Sequence, residues 1–462
     1  MLFSDPIFFL FFSSYFFIHQ ILPRHFMMVL VILGSTFFYG YWNPLFIPLP
    51  FALVTFTYLA TFKLNQIKNK KSKKQLLTLF LIFLFLPLLG FKYLKFFLDN
   101  MAWLFSSHTM SQGITNSLPL GISFITFTLA AYLIDVSRGK FPIEKNFLSL
   151  LSSVLFFPHL IAGPIVRPSQ LIPQLKRWDP KLSAKIPFGV LLFSIGMFKK
   201  LVLADSVASL VNQTYSQMAT ASAWSHLIAF YGFTVQIYCD FSGYTDMALG
   251  LSHVLGIRLP NNFSRPYIAT SITEFWTRWH ITLSNWLKDY LYIPLGGNRN
   301  GFLAQMKNIV ITMVLGGLWH GANWTFVLWG LFHAFGIVCN HAVNRFIPNL
   351  KLPRWAAWFL TFHFVSLGWV FFRAPTISVA TNLLKGFVTK NWNLNLFSPE
   401  YFYGVAIFFC FVLTHKIDRQ SLFRLWTIKL PSTAIYTLAI MLIGISLILS
   451  SGNSADFIYF DF

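Results

Sequence analysis

The chain has 462 residues, of which 56% are hydrophobic and only 11% are charged, and its formal net charge is +21. An ordinary soluble domain carries about 25% charged residues, so this composition excludes a soluble globular protein and indicates a polytopic membrane protein. The lysines and arginines lie in short loops between apolar runs, which is typical of topology signals and of contact with anionic lipid. This placement argues against a nucleic-acid partner; a basic channel for an anionic substrate is the alternative.

Apolar runs recur along the chain, and a helix needs roughly 20 apolar residues to cross a bilayer. We predict an all-α membrane protein with candidate spans at 5–22, 26–42, 46–62, 75–97, 118–137, 186–205, 223–250, 355–372, 399–414 and 431–451. The first run lacks a basic n-region and a small-residue cleavage site, so we expect a retained span. Three cysteines are spread through apolar segments and indicate neither a disulfide nor a zinc site: Cys239, Cys339 and Cys410.

The basic loop at 63–74 is the strongest orientation marker, and we place it in the cytoplasm. Counting spans from this loop predicts that both termini are extracytoplasmic. Residues 146–163 are apolar, but both of their flanks look cytoplasmic, so a re-entrant segment is expected there. The apolar pair 306–319 and 322–344 is broken at "HGAN", which predicts that His320 lies deep in the membrane at the tip of the pair.

Residues 254–305 are too charged to span a membrane. The motif "SITE" resembles a capping box that opens a helix, with Ser271 as the cap and Glu274 three residues later. Apolar residues then recur near helical spacing, which predicts one amphipathic helix at the cytoplasmic membrane interface; these are Phe275, Trp276, Trp279, Leu283 and Trp286.

Two carboxylates lie inside an apolar segment, where an unpaired charge costs a few kcal/mol or more. Asp240 shares a helix face with Gln236 and Tyr244, whereas Asp246 points elsewhere. One interpretation is structural, with an aspartate holding an arginine or capping nearby backbone. The other is that Asp240 and Tyr244 line a polar cavity that binds substrate.

Two histidines stand in strongly aromatic settings, His280 in "FWTRWHITLS" and His320 in "GLWHGANW". Each is either a structurally satisfied ring or a catalytic one. Motifs of other chemistries are absent from the sequence, among them HExxH, the Walker A loop and GxSxG.

The stretch "CDFSGYTDMALGLSHVLGIRLPNNFSRPYIATSITEFWTRWHITLSNWLKDYLYIPLGGNR", followed by "GGLWHGANWTFVLWGLFHA", resembles the membrane-bound O-acyltransferase family, and most closely its bacterial alginate and peptidoglycan O-acetyltransferases. The likeness covers roughly 120–345, and "GPIVRPSQLIPQ" and the terminal "DFIYFDF" extend it. It implies one membrane domain over 1–462, with about eleven spans around a central tunnel. Within that domain, 254–305 is the cytoplasmic interfacial region and 452–462 is an extracytoplasmic tail.

The resemblance further implies that His320 is the central catalytic histidine and that His280 is a second, cytoplasm-facing one. A neutral imidazole can take the proton of an acceptor hydroxyl at neutral pH. Burial among tryptophans would keep the His320 ring neutral, and two of these, Trp319 and Trp324, would also contact the substrate. Asn323 could donate to the developing oxyanion. Gly316, Gly317 and Gly321 would let backbone and substrate approach closely.

The donor expected from the resemblance is cytoplasmic acetyl-CoA, with no cofactor or metal bound permanently. Its phosphates suit Arg278, Lys288 and Arg299, although these residues would serve equally to anchor the interfacial helix to lipid. The expected location is the bacterial inner membrane. The expected partners are the bilayer, an exported polysaccharide, and a secreted or membrane-anchored SGNH-type acetyltransferase or esterase.

Two rival functions remain open on the sequence. One is D-alanyl transfer toward teichoic acid, as in the Gram-positive branch of the same family. The other is a proton-coupled transporter or flippase that uses His320 and Asp240 as a proton relay.

The tail "SADFIYFDF" is strongly aromatic, although chain termini are usually poorly ordered unless they are tied down. It is either an aromatic anchor at the membrane interface or part of the site. In the second interpretation Tyr459 accepts the acyl group at His320 and passes it to a secreted partner, which divides one difficult step into two easier ones.

Overall fold

The structure, a computed structural model, describes residues 1–105, 118–178, 185–392, 399–450 and 457–458. All the regular structure within these residues is helical. Seven of the described helices are long and apolar enough to cross a membrane, and four shorter apolar helices accompany them. The predicted class of an all-α polytopic membrane protein is confirmed. The number of crossings, the tunnel and the single-domain organisation stay predictions.

The chain divides into two compact units, the first of which contains Met1–Gly189 and Ala248–Pro260. Its helices are α1 (Pro6–Ile21), α2 (Met27–Gly40), α3 (Pro48–Gln66), α4 (Lys70–Leu88), α5 (Leu94–Leu104), α6 (Ile122–Ser137), α7 (Phe147–Leu155), α8 (Phe157–Leu160) and α9 (Pro168–Lys176).

Helix α6 lies at the centre of the first unit, and every residue from Ile122 to Val136 is buried. Helices α3, α4 and α9 pack against it. Helix α4 shows the opposite character, because it exposes large apolar side chains such as Leu79, Ile82 and Phe83. Exposed apolar surface of this kind is expected on a helix that faces lipid.

The segment predicted to be re-entrant forms two short helices, α7 and α8, which are separated at Phe156. The break leaves the Phe157 backbone N–H outside a helical ladder, and this group donates to the Ser35 hydroxyl at 3.1 Å. A broken helix inside an apolar protein is tolerated only where such partners satisfy its backbone. The break therefore agrees with a segment that does not cross, and its depth in the bilayer stays a prediction.

The second unit contains Val190–Met247 and Asn261–Phe462. It holds most of α10 (Ile186–Phe198) and α12 (Ala223–Val254), together with α11 (Asp205–Ser216), α13 (Ile272–Arg278), α14 (Ile281–Leu287), α15 (Phe302–His320), α16 (Trp324–Phe346), α17 (Arg354–Arg373), α18 (Ile377–Thr389), α19 (Pro399–Ile417), α20 (Gln420–Lys429) and α21 (Ser432–Leu449).

A π-helical turn, Lys199–Ala204, joins α10 to α11 and makes one continuous helix where the sequence predicted an end at 205. Gly196 and Gly243 bring α10 against α12, because a Cβ on either glycine would overlap the backbone of the other helix. This close approach puts two consecutive lysines of the π turn beside the aspartates of α12.

Candidate active site

His320 is the last residue of α15, and the chain leaves the helix at Gly321, whose backbone is extended. Asn323 then caps α16, with its side-chain oxygen accepting a hydrogen bond from the Thr325 backbone N–H at 3.0 Å. Such a cap satisfies a backbone donor that a helix start would otherwise leave without a partner. The structure therefore shows the break that "HGAN" predicts, with the histidine at its tip.

Aromatic rings enclose His320, which is 3% exposed. The centroid of its ring lies 4.9 Å from Trp319, 5.1 Å from Trp329 and 5.1 Å from Phe372. The prediction that Trp324 helps to bury this ring is wrong, because Trp324 is 55% exposed. Residues five apart on a helix lie about 140° apart around its axis, so Trp329 faces inward and Trp324 does not.

Gly317, before His320, and Gly330, on the next helix, serve helix packing. A Cβ on Gly317 would overlap the Phe326 carbonyl oxygen, and one on Gly330 would overlap the Met313 carbonyl oxygen. Backbone contact between α15 and α16 therefore occupies the space that the sequence interpretation gave to substrate at Gly317. The pair is held rigidly, which fixes the position of His320 at its end.

His280 lies at a second break, between α13 and α14, and is 0% exposed. Its backbone has φ = 42°, in the left-handed region that few non-glycine residues adopt. The prediction of one continuous amphipathic helix is therefore wrong: the apolar spacing continues through Trp279, but the chain turns at His280. Strain of this kind, held by its surroundings, is common at functional sites.

Asn262 fixes the tautomer of His280. The Asn262 Oδ1 atom accepts hydrogen bonds from the Thr282 backbone N–H at 3.3 Å and from the Thr282 hydroxyl at 2.8 Å. Because a backbone N–H can only donate, the Asn262 atom at this position is the oxygen. His280 Nδ1, 3.0 Å from the same oxygen, must then donate to it, which leaves Nε2 as the unprotonated nitrogen of the neutral ring.

Burial lowers the pKa of His280 to about 3, so its ring is neutral at physiological pH. The ring centroid of Phe241 lies 4.8 Å from that of His280, with the two rings edge-on, and the ring centroid of Trp319 lies 6.0 Å from that of His280. Trp319 therefore contacts both His280 and His320. We call these three residues the histidine site.

The structure gives Asp240 a cationic partner, but the partner is a lysine and not the arginine that the structural interpretation expected. Lys200 Nζ lies 2.8 Å from Asp240 Oδ1 and 2.7 Å from Asp205 Oδ1, and all three side chains are nearly fully buried. We call this group the Lys200 cluster. Sequence reasoning missed both Lys200 and Asp205, although charged residues inside the apolar run "MFKKLVLAD" were a signal that could have found them.

A second buried group, the Lys199 cluster, has the same form. Lys199 Nζ lies 2.6 Å from a carboxylate oxygen of Asp246 and 2.6 Å from one of Asp418. The Tyr238 hydroxyl donates to Asp418 at 2.6 Å. Burial alone would raise the pKa of Asp418, but the Lys199 ammonium and this hydrogen bond hold it below its usual range.

The C-terminal tail reaches the same region. Phe457 is 0% exposed and packs on Tyr244, with ring centroids 4.7 Å apart. The Ile458 backbone N–H donates to Asp240 Oδ2 at 2.9 Å. Asp240 and Tyr244, predicted to bind substrate, thus both contact the tail. Tyr459, the predicted acyl acceptor, lies outside the described residues.

The remaining predicted site residues are placed as follows. The Asn323 amide nitrogen donates to the Pro375 carbonyl at 3.0 Å, so the described geometry gives this residue a capping role, and its oxyanion role stays a prediction. Arg278 is paired with Glu274 at 2.8 Å. Lys288 and Arg299 are exposed, and the phosphate-binding role of all three stays a prediction.

Two further features were missed by sequence reasoning. The amide nitrogen of Asn262 is buried and has no hydrogen-bond partner among the described residues, so a donor is available beside His280. A polar cavity of about 240 Å³ lies over the Lys199 cluster, and Arg265 and Arg419 line it.

Across the described part of the chain, no group of three or more histidines, cysteines or carboxylates is placed to hold a metal ion.

Comparison with known proteins gives a family match over the region that contains both histidines. A sequence model described as MBOAT, membrane-bound O-acyltransferase family, matches residues 143–381. The segment includes the histidine site and both α12 aspartates, and it ends before Asp418 and the tail.

Curated relatives extend the similarity over most of the chain. A peptidoglycan O-acetyltransferase of Helicobacter pylori is 39% identical, over 78% of this chain and 73% of its own length. A probable alginate O-acetylase, AlgI, of Azotobacter vinelandii is 38% identical, over 86% of this chain and 80% of its own. A teichoic acid D-alanyltransferase of Bacillus subtilis is 29% identical, over 60% and 75% respectively. The predicted resemblance is confirmed.

Proposed function

Since the chain belongs to the membrane-bound O-acyltransferase family and is an acyltransferase, we propose that it moves an acetyl group from cytoplasmic acetyl-CoA across the bacterial inner membrane. The acceptors in this proposal are hydroxyl groups of an exported polysaccharide of the alginate or peptidoglycan type. The names of the two relatives above support this choice of group and acceptor. Both termini are extracytoplasmic in the proposal, as the loop charges suggest.

The observation that carries the proposal is the histidine site itself. Two buried imidazoles contact one tryptophan between them, and hydrogen bonding fixes the tautomer of His280. An acyl transfer needs a neutral base, a fixed ring orientation and a site that excludes water. The burial of both rings supports a neutral base and the exclusion of water, and the Asn262 hydrogen bond fixes the orientation of His280.

In the proposed reaction His320 removes the proton of the acceptor hydroxyl. At the same time the hydroxyl oxygen attacks the thioester carbonyl carbon. A new C–O bond forms, the C–S bond breaks, and the departing thiolate takes the proton back from the imidazolium. CoA leaves as the thiol and His320 returns to its neutral form. His280 Nε2 accepts a hydrogen bond from the substrate, and the Asn262 amide nitrogen donates to the carbonyl oxygen.

The first acceptor in the proposal is the phenol of Tyr459. A phenol has a pKa near 10, so its acetyl ester retains much of the transfer potential of the thioester. An SGNH-type partner outside the membrane then takes the group and passes it to the polymer. The burial of Phe457 against Tyr244 and the hydrogen bond from the Ile458 backbone N–H to Asp240 support a role for the tail inside the protein, rather than as an anchor at its surface.

The donor is held at the cytoplasmic face in this proposal. Because Glu274 already neutralises Arg278, the phosphates of CoA are better served by the exposed Lys288 and Arg299. Arg265 and Arg419, which line the polar cavity, offer two further cations for the same groups.

The test is a transfer assay in proteoliposomes supplied with acetyl-labelled CoA outside and a soluble polysaccharide with the partner inside. We expect the wild type to label the enclosed polymer and release free CoA. The His320→Gln variant should do neither. Label that enters as intact acetyl-CoA, or a His320→Gln variant that transfers at the wild-type rate, would overturn the proposal.

D-alanyl transfer is the second candidate, and the Bacillus subtilis relative and its Streptococcus thermophilus counterpart favour it. Replacing acetyl-CoA by a D-alanyl-loaded carrier protein in the same assay separates the two donors. Membership in an acyltransferase family leaves the transporter hypothesis without support.

A further inference from the structure

The two lysine clusters differ in what completes them. Each places one ammonium against two buried carboxylates, so each has one carboxylate more than its cation can neutralise. In the Lys199 cluster the Tyr238 hydroxyl donates to the second carboxylate. In the Lys200 cluster the donor to Asp240 is the backbone N–H of Ile458, 218 residues away along the chain.

This difference makes the tail part of a buried electrostatic arrangement. A buried carboxylate needs donors because it has lost its hydration, and a hydrogen bond to a charged acceptor is roughly twice as strong as a neutral one. The Ile458 N–H is such a donor. A single backbone group therefore ties a chain terminus to the middle of α12.

Packing brings the tied segment to the histidine site. The centroid of the Phe457 ring lies 4.7 Å from that of Tyr244, with the two rings tilted, and 6.2 Å from that of Phe241. Phe241 in turn meets the ring of His280 edge-on at 4.8 Å. One aromatic side chain therefore separates the tail from His280.

We propose that Asp240, held by Lys200, is the anchor that docks the C-terminal segment beside His280, and that it thereby acts as a positioning residue for acyl transfer. The docking follows from the contacts above. The positioning role rests on the proposed function, because Tyr459 directly follows Ile458 in the sequence.

Hydrogen–deuterium exchange of the Ile458 amide tests the docking in the full-length protein in nanodiscs. Asp240→Ala removes the acceptor, so exchange at Ile458 should accelerate about 10- to 100-fold, as expected for loss of a hydrogen bond to a charged group. Asp240→Asn keeps an oxygen and loses the charge, so its exchange should be intermediate. It also leaves Lys200 paired with Asp205.

Asp246→Ala is the matched control. It removes a carboxylate from the same helix and from an equivalent lysine, but no described residue of the tail contacts Asp246. Exchange at Ile458 should stay as in the wild type. Equal exchange in Asp240→Ala and the wild type, or equal acceleration in both alanine variants, would overturn the anchor. If Asp240→Ala also accelerates amide exchange in α15 and α16, the test of the anchor is the exchange of the Ile458 amide in Asp240→Asn.

A double-mutant cycle tests the positioning role separately. If Asp240 acts by presenting Tyr459, Asp240→Asn should slow transfer in the wild type and cause no further loss in the Tyr459→Phe background. Full additivity would remove the positioning role. If Tyr459→Phe transfers at the normal rate, the relay through Tyr459 is wrong. If the Ile458 amide nevertheless exchanges faster in Asp240→Ala, the anchor is still supported.

Discussion

His280 and His320 lie among aromatic rings, whereas Lys199 and Lys200, equally buried, lie among carboxylates. The difference reflects what each residue type needs when it is buried. An imidazole avoids the cost of burial by staying neutral, but an ammonium without a carboxylate would be strongly destabilising. We therefore expect substitutions in the histidine site to act mainly on turnover, and substitutions of Lys199 and Lys200 to act mainly on folding.

The largest effect is expected at His320. Replacing it with glutamine removes the base, so turnover should fall by about 10²- to 10⁴-fold or more, while the unfolding transition in detergent stays near that of the wild type. His341→Gln, on the neighbouring helix α16, is the control and should have normal turnover. A large loss of stability in His320→Gln would contradict the contrast between the two regions.

Next in size is Lys200→Met, which should lower the free energy of unfolding by about 3–5 kcal/mol, because it leaves two carboxylates buried without a cation. Chemical denaturation in detergent measures this change. Adding Asp205→Asn and Asp240→Asn to the same chain should restore part of the stability. If Lys200→Met is as stable as the wild type, the cluster is not a folding element.

A smaller effect concerns the pH dependence of stability at His280. Burial lowers the pKa of His280 in the folded state to about 3, below the unfolded value near 6.5. Between these values the unfolded chain binds more protons, so stability falls as the pH is lowered, by up to about 1.4 kcal/mol per pH unit for this group.

His280→Asn removes this dependence and suits the left-handed backbone better than alanine does. Thermal unfolding of both proteins between pH 7 and pH 4 measures the difference. Parallel curves for the wild type and His280→Asn would show that His280 is not buried in its neutral form.

The smallest effect is expected at Glu274, which is about one-third exposed. Burial slightly opposes ionisation, but hydrogen bonds from Thr270 and the Arg278 charge lower the pKa of Glu274 overall. Its contribution is therefore present above the unfolded value and disappears as the pH falls through the lower folded value. Glu274→Gln should cost at most about 1 kcal/mol at pH 7 and nothing at acid pH. A larger cost at pH 7 would show that this exposed pair contributes as much to the free energy of unfolding as the buried clusters do.

Local sequence signals predicted much of the fold. Hydropathy located most of the apolar helices to within several residues, although it ended the helix Ile186–Ser216 at 205, and "HGAN" located the break at His320 because glycine and a capping asparagine are local signals. The turn at His280 was hidden, because the apolar spacing from Phe275 to Trp286 continues through it. Its cause, the hydrogen bond with Asn262, joins residues that local periodicity does not relate.

The partners within the lysine clusters could not be predicted from local sequence for a similar reason. Asp418 lies 219 residues from Lys199, and nothing near either residue in the sequence indicates the other. The sequence did show that Asp240 needs a partner in an apolar segment. The identity of that partner depends on how α10 packs against α12. Gly196 and Gly243 permit this packing, but two glycines in the sequence do not predict it.

The π turn Lys199–Ala204 has a consequence for insertions and deletions. A π turn is in effect an α-helix whose wider turn accommodates one additional residue, whereas one residue added to or removed from a regular α-helix rotates everything beyond it by about 100° around the axis. Deleting one residue within the turn would give a regular α-helix of similar hydropathy. Lys200 and Asp205, which pair across the π turn, would then be four residues apart on one face of that helix, so their charge pairing would survive a deletion within the turn, whereas a deletion in a regular part of the helix would break such pairings.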